Sequence, residues 1–338
     1  MPAPINVVIV EGDVGQRDDL RRALEADGDI RVVGQCARGP EAIAMVAELR
    51  PDVVTLDVLL ADGRGLEVIE QIMAFNPTPI LVLSSAGTGP DSRSAVEALV
   101  AGAVDALPKP ARWEPADERR LRERIRIVQG VTVVRHVRGR LRRDRTPVAE
   151  PLPSTATPIV GIVASTGGPA ALAVVLAGLA GLEASVLVVQ HIHPDFVDGF
   201  ARWMARVSAL PVELACDGAR LRPGVAYIAP GGRHLKVTAS GKIELDAEPV
   251  TLHRPSGDVL FRSIADRPRG KKIGVLLTGL GDDGAAGLLE LKRKGGTTFA
   301  QDEETSAVFG MPAAAKRLDA VHRMLPLEQI APMIVRSV

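Results

Sequence analysis

The sequence predicts an α/β protein made of two doubly wound, mainly parallel sheets that follow each other along the chain. Apolar runs recur without polar alternation, as in strands buried on both faces of a parallel sheet, and stretches of helical period separate them. Hydrophobic residues make up 46% of the 338 residues and aromatic residues only 3%, so aliphatic side chains must fill the cores. The length suits two domains of about 100 to 200 residues each.

The N-terminal third predicts a flavodoxin-like unit with five strands. The runs INVVIV, RVVGQC, DVVTLD, PILVLS and DALPK alternate with helical patterns between Ile5 and Pro110. Polar residues lie at the ends of four of these strands. Because the carboxyl ends of parallel strands meet at one edge of a sheet, we expect these residues to lie close together, namely Glu11, Asp57, Ser84 and Lys109.

A basic segment is predicted to connect the two domains. It begins with a helix from Pro115 to Val128 and ends in the Pro/Ser/Thr-rich tether PLPSTATP, which gives domain boundaries at 1–112, 113–157 and 158–338. Between Arg112 and Glu150, twelve Arg stand against six Asp or Glu. Such charge fits a solvated face, an acidic partner or RNA, and the lack of interleaved aromatic residues argues against nucleic acid.

A second wound sheet is predicted from residue 158 onward. The runs IVGIVA, SVLVVQ, KIGVLLTG and GTTFAQ read as its strands, and shorter pieces between Val212 and Leu245 indicate a small hairpin insertion. A final helix is predicted from Leu327 to Val335.

Three residues that follow strands of this sheet predict acyl-transfer chemistry. Ser165 ends the run IVGIVA, His191 follows SVLVVQ, and Asp283 lies in the glycine-rich loop after KIGVLLTG. A serine hydroxyl needs a base to take its proton, and the base needs an acid to hold its tautomer. Ser165 also opens a helix, so the N–H groups of Thr166 and Gly167 are candidate donors to an oxyanion.

Each of these signals has a structural alternative. The segment STGGP could cradle a phosphate, although it lacks the lysine of a P-loop and the spacing of a dinucleotide fingerprint. It also lacks the G-x-S-x-G elbow of α/β-hydrolases. His191 could be a hydrogen-bonded residue at a strand end, and Asp283 could cap the helix that begins GAAGLLELKRK.

Bulk properties predict a cytoplasmic protein without membrane insertion. Acidic and basic residues balance at 41 each, so the net charge gives no argument for nucleic-acid or membrane binding. Cys36 and Cys216 form no disulfide or metal pattern. The N-terminus lacks the order of a signal peptide, and the longest apolar helix candidate, Ala170 to Leu182, is too short to span a bilayer.

Six ordered blocks closely resemble the catalytic domain of chemotaxis protein-glutamate methylesterases, and the N-terminal third resembles that family's receiver domain. The blocks are GIVASTGGP, VVQHIHPDF, VAYIAPGGRHL, LHRPSGDVLF, GVLLTGLGDDGAAG and AQDEETSAVFGMP. The resemblance implies hydrolysis of glutamyl γ-methyl esters, and deamidation of glutamines, on chemotaxis receptors. It implies no cofactor for the esterase and a chemotaxis histidine kinase as phosphodonor. A non-catalytic interaction module built on the same two folds is the alternative.

Within the esterase blocks the resemblance assigns Ser165, His191 and Asp283 as the triad. Leu280 stands where the family has a methionine whose backbone N–H helps to bind the oxyanion, and a backbone donor survives that replacement. Asp282 stands where the family has Asn, and we expect it to turn to solvent. Four further residues of the blocks have site-shaping or structural roles, namely Thr166, His234, Arg254 and Gln301.

In the receiver the resemblance implies Asp57 as phosphoacceptor and Ser84 and Lys109 as switch residues. Glu11 matches the first acid of the Mg²⁺ site, but Gly12 replaces the second and Asp13 comes one residue late. Ala106 occupies the aromatic switch position. Because Mg²⁺ demands near-octahedral oxygen geometry, we expect a weakened metal site at Glu11 and Asp57 and weak or atypical phosphorylation. A competent switch with unusual coordination is the alternative.

Overall fold

A computed structural model describes residues 3–60, 62–85, 90–131 and 157–338. The chain divides into two compact units, Met1–Arg138 and Gly139–Val338. Most of the predicted Arg-rich linker falls on residues 132–156, which lie outside the described residues. Within the described residues, no helix is both long enough and apolar enough to cross a bilayer.

The first unit contains one five-stranded parallel sheet in the order β2-β1-β3-β4-β5. This confirms the predicted flavodoxin-like class, and every predicted strand is present. The strands are β1 (Ile5–Val10), β2 (Ile30–Cys36), β3 (Val53–Asp57), β4 (Ile80–Ser85) and β5 (Asp105–Lys109). The helices are α1 (Val14–Glu25), α2 (Gly39–Leu49), α3 (Gly65–Phe75), α4 (Pro90–Ala101) and α5 (Pro115–Val128).

The second unit contains a seven-stranded sheet in the order β14-β13-β12-β6-β7-β9-β8, in which all pairs are parallel. Its strands are β6 (Ile159–Ala164), β7 (Ser185–Gln190), β8 (Val212–Leu214), β9 (Ala226–Ile228), β12 (Lys272–Leu276), β13 (Thr297–Gln301) and β14 (Arg323–Leu325). The helices are α6 (Gly168–Ala177), α7 (Pro194–Val207), α8 (Gly257–Ala265), α9 (Ala285–Arg293), α10 (Met311–Arg317) and α11 (Leu327–Ser337).

The predicted hairpin is β10 (His234–Val237) paired antiparallel with β11 (Ile243–Asp246). The other short strands of that stretch, β8 and β9, belong to the main sheet instead. Only three residues each, they gave no periodicity that distinguishes a sheet strand from part of an insertion.

Two paired glycines let α8 lie close to the centre of this sheet. Gly161 of β6 and Gly274 of β12 are register partners. A Cβ atom would lie 3.2 Å from the Phe261 ring at Gly161 and 3.3 Å from it at Gly274. Phe261 of α8 is fully buried there. The missing side chains therefore make room for Phe261, and α8 packs against β6 and β12, two of the three strands that lead to the candidate triad.

Candidate active site

Ser165 lies on a tight turn between β6 and α6. Its N–H donates to the Thr278 carbonyl at 3.0 Å, and its own carbonyl accepts from the Gly168 N–H at 2.8 Å. Gly167 has φ 75°, a left-handed conformation that favours glycine. Gly279 packs against Ser165, because a Cβ atom at Gly279 would lie 2.7 Å from the Ser165 Cβ. The turn is therefore fixed from both sides.

The N–H groups of Thr166 and Gly167 point to an oxyanion role. They precede α6, and no acceptor among the described residues bonds to either of them. Free N–H groups at a helix start stabilise negative charge. The Gly279 N–H is occupied by the Val308 carbonyl at 3.0 Å, whereas the Leu280 N–H has no protein acceptor within the described part of the chain.

His191 lies beside Ser165, at the end of the neighbouring strand. The last paired residues of β6 and β7 are Ala164 and Gln190, and the His191 N–H donates to the Ala164 carbonyl at 2.9 Å. Ser165 and His191 are therefore the next residues on strands spaced about 4.8 Å apart.

The imidazole of His191 is buried and paired on one side only. Nε2 lies 2.8 Å from Oδ2 of Asp283. Because an ionised carboxylate only accepts hydrogen bonds, Nε2 carries the proton in this pair. Nδ1 is buried and has no hydrogen-bond partner among the described residues. Nδ1 is thus the nitrogen left to act as a base.

Asp283 is held at the N-terminus of α8. Its carboxylate accepts from the Ser256 hydroxyl at 2.6 Å, the Gly257 N–H at 2.6 Å and the Asp258 N–H at 3.2 Å, besides His191. Burial alone would raise the pKa of Asp283, but the hydrogen bonds from His191, Ser256 and Gly257 outweigh it and hold the pKa below its usual range. Asp283 is therefore ionised wherever the protein is folded near neutral pH.

The structure excludes the alternative in which Asp283 serves as the cap of α9. The N-cap of α9, the helix beginning AAGLLELKR, is Gly284, and the carboxylate of Asp283 caps α8 from a distant part of the chain. Asp282 is exposed, as expected for the second of two adjacent acids.

Gln190 is a site residue that sequence reasoning missed. Its Nε2 donates to the Ser165 carbonyl at 2.8 Å and to the His191 carbonyl at 3.0 Å, and the side chain is buried. It therefore ties the turn at Ser165 to the loop that carries His191. A polar residue at the end of an apolar run, directly before His191, was the signal that could have found it.

His253 and Ser256 were also missed. The His253 ring stacks on the His191 ring with centroids 4.3 Å apart and planes 11° apart. Ser256 is the N-cap of α8, and its hydroxyl donates to Asp283. Neither contact leaves a local pattern, because both partners come from distant segments.

The remaining residues from the matched blocks support the loops. His234 is fully buried, accepts from the Ser256 N–H at 3.1 Å through Nδ1, and donates from Nε2 to the Pro249 carbonyl at 2.8 Å. Gln301 Oε1 accepts from the Thr278 N–H at 2.9 Å. The Arg254 carbonyl accepts from the Gly232 N–H at 3.3 Å.

The first unit brings its predicted acidic residues and lysine together. Lys109 Nζ lies 2.9 Å from Oε2 of Glu11 and also bonds Asp57. Burial would lower the pKa of Lys109, but its hydrogen bonds to Asp57 and Glu11 outweigh this and raise it. Ser84 is fully buried one strand away, where it pairs in register with Pro108.

These residues fit Mg²⁺ poorly. Glu11 and Asp57 supply two carboxylates, and both are bonded to the Lys109 ammonium. Gly12 supplies none, and the Asp13 carboxylate accepts from the Gln16 N–H at 2.9 Å as the N-cap of α1. No group of three or more His, Cys, Asp or Glu suited to a metal occurs in the described part of the chain.

Comparison with known proteins decides the family. The sequence profile of the CheB methylesterase family matches residues 160–334. The chain belongs to the CheB methylesterase family. The profile of the response regulator receiver domain matches residues 7–126, which confirms the receiver assignment of the first unit.

Relatives of this family match the chain over nearly its whole length. Protein-glutamate methylesterase/protein-glutamine glutaminase 2 of Anaeromyxobacter dehalogenans is 46% identical over 97% of this chain and 95% of its own. Protein-glutamate methylesterase/protein-glutamine glutaminase of Agrobacterium fabrum is 39% identical over 99% of this chain and 97% of its own.

A solved structure supports the fold of the second unit. The CheB methylesterase catalytic domain of Thermotoga maritima is 35% identical, with a TM-score of 0.52, and the match covers 54% of this chain and 99% of that one. The predicted α/β class and methylesterase family are thereby confirmed.

Proposed function

We propose that this protein hydrolyses γ-methyl esters of glutamyl residues, and deamidates glutamines, on chemotaxis receptors, with Ser165, His191 and Asp283 as its triad. One observation carries the proposal. The imidazole of His191 pairs with Asp283 through Nε2 at 2.8 Å, and its Nδ1 has no hydrogen-bond partner among the described residues, on the strand end next to Ser165. The names of the relatives supply the reaction and the class of protein side chain.

The first half-reaction forms an acyl-enzyme. The Ser165 oxygen bonds to the ester carbonyl carbon while its proton passes to Nδ1 of His191. The carbonyl oxygen becomes an oxyanion, and the N–H groups of Thr166, Gly167 and Leu280 are the candidate donors to it. Asp283 stabilises the imidazolium. The C–O bond then breaks, and the Nδ1 proton passes to the departing methoxide, which leaves as methanol.

The second half-reaction restores the enzyme. A water molecule bonds to the acyl carbon while Nδ1 takes one of its protons, and that proton returns to the Ser165 oxygen as the acyl bond breaks. The product is a glutamate carboxyl group. For a glutamine substrate the same steps release ammonia in place of methanol.

Replacement of the nucleophile tests the proposal. In Ser165→Ala, release of methanol from methylated receptor is expected to fall by on the order of 10⁴ or more, because the triad acts as a unit. The assay follows methanol from full-length protein. Ser240→Ala, at an exposed serine of the β10–β11 turn, is the matched control and should keep full activity. Near-normal turnover by Ser165→Ala would remove this serine from the mechanism.

The proposal assigns regulation to the receiver unit. Asp57 is the phosphoacceptor, a chemotaxis histidine kinase is the donor, and the reaction takes place in the cytoplasm. Phosphorylation adds a charge of about −1.5 to −2 beside Lys109, which draws that lysine and the neighbouring Ser84 toward the new group. Because Gly12 leaves the acid pair incomplete, Asp57 is labelled weakly, and the receiver acts in part as a static cover or docking surface.

A further inference from the structure

The loop between β11 and α8 exposes apolar side chains beside the candidate triad. Leu252 is 94% exposed and Val250 75% exposed, the two highest values for large apolar side chains among the described residues. Two such side chains only two residues apart, beside a candidate site, form a candidate contact surface for another molecule.

This loop is anchored on both sides of the two residues. Before them, the Pro249 carbonyl accepts from buried His234 at 2.8 Å. After them, the His253 ring stacks on His191 with centroids 4.3 Å apart. The Thr251 hydroxyl donates to the His253 carbonyl at 2.5 Å between these anchors. Val250 and Leu252 are therefore exposed on a loop that hydrogen bonds and ring stacking hold in place.

The loop lies within reach of a substrate bound at Ser165. Leu252 adjoins His253, so its Cα is within about 12 Å of the His191 ring, given 3.8 Å between successive Cα atoms and the stacked rings. A second apolar side chain, Leu280, is 38% exposed and follows Gly279, which packs on Ser165. Both loops that border the site thus present leucine to solvent.

The short reach of a glutamyl side chain brings the backbone of the substrate close to this loop. A glutamyl ester carbon lies only about 4 Å from its own Cα, so the backbone of a protein substrate must approach the rim of the site closely. Side chains of the substrate residues that flank the glutamyl residue then lie over the rim.

We propose that Val250 and Leu252 form a docking surface for apolar side chains of the protein substrate that flank the modified glutamyl residue. This inference rests on the proposed function. It assigns selection of protein esters over small esters to the loop, separately from the chemistry at Ser165.

The test compares a protein ester with a small ester, using full-length protein. For Leu252→Ser, the KM for methylated receptor is expected to rise about five- to tenfold with kcat unchanged, because truncating an apolar contact weakens binding alone. Hydrolysis of the γ-methyl ester of N-acetylglutamate α-amide is expected to stay at the wild-type rate. Val250→Ser should act in the same direction. Leu318→Ser is the matched control, since Leu318 is 46% exposed and lies in neither loop.

Three results would overturn the inference. One is an unchanged KM for receptor in both loop variants. Another is an equal loss with Leu318→Ser or with the small ester, which would indicate a general effect on folding or chemistry. The third is faster hydrolysis of both esters by Leu252→Ser, which would show that the loop is covered by another part of this chain. Wild-type protein inactive on both esters would instead refute the proposed function, and the inference with it.

Discussion

Two adjacent carboxylates, Asp282 and Asp283, have opposite surroundings. Asp283 accepts four hydrogen bonds, and its pKa lies below the usual range. Asp282 is exposed. A depressed carboxyl pKa adds stability that is complete above the unfolded value of about 3.9 and is lost as the pH falls through the lower folded value. Asp283 therefore remains ionised, and bonded to His191, when the pH is lowered to 5.

This contrast makes a matched pair of variants. Asp283→Asn is expected to lower kcat for methanol release by on the order of 10⁴, because the amide no longer fixes the protonated Nε2 tautomer of His191. Asp282→Asn should leave kcat within about twofold, since its side chain faces solvent. Steady-state kinetics on methylated receptor measure both. Equal losses in the two variants would contradict the assignment of Asp283.

At the scale of elements, α8 links the packing of the sheet to the chemistry. Phe261, in the middle of α8, fills the space above the paired glycines of β6 and β12. The N-terminus of the helix presents Ser256 and two N–H groups to Asp283. A helix N-terminus favours a negative charge. The same helix thus serves as a core element and as a support for Asp283, the candidate triad acid.

Variants of two serines, one at the N-cap of α8 and one within the helix, distinguish these two roles. Ser256→Ala removes a hydrogen bond to Asp283, so kcat is expected to fall about tenfold, and loss of the N-cap should reduce the free energy of unfolding by about 1 kcal/mol. Ser263→Ala removes a hydroxyl that donates to the Leu260 carbonyl at 2.7 Å, away from Asp283. It should cost similar stability with little change in kcat. Kinetics and denaturant unfolding distinguish the variants, and a normal kcat in Ser256→Ala would remove it from the site.

Sequence reasoning predicted elements better than the contacts between them. The helix predicted at Pro115 to Val128 occurs with those bounds, because proline at its start and charged residues on one face are local signals. The bonds from α8 to Asp283 and from Gln190 to Ser165 were not predicted. Hydrogen bonds between segments 25 or more residues apart leave no local periodicity.

At the scale of the whole molecule, the chain combines a receiver whose acid pair is incomplete with an esterase unit in which the three candidate triad residues are all present. Lys109 bonds both Glu11 and Asp57, so the resting carboxylates are already partly neutralised without a metal. Under the proposed function, regulation through the receiver then depends on how readily Asp57 is phosphorylated while it is paired with Lys109.

Restoring the second acid tests this dependence. Gly12 is exposed and does not have a positive φ, so aspartate fits its backbone. Gly12→Asp is expected to increase Mg²⁺-dependent labelling of Asp57 by a small acyl phosphate about tenfold, with a matching increase in activation of methanol release. Gly12→Asn, which has the same shape without the charge, should give much less. Wild-type protein that is labelled and activated as well as Gly12→Asp would refute weak phosphorylation.

The hydrogen bonds that hold Asp283 also determine where the protein tolerates insertions and deletions. Its donors are three consecutive residues, Ser256 to Asp258, at the first turn of α8. Adding or deleting one residue between that turn and Phe261 would rotate the donors by about 100° relative to Phe261, and so move them off the carboxylate. Insertions should therefore be harmless at the β10–β11 tip but inactivating between Asp258 and Phe261, even when the protein still folds.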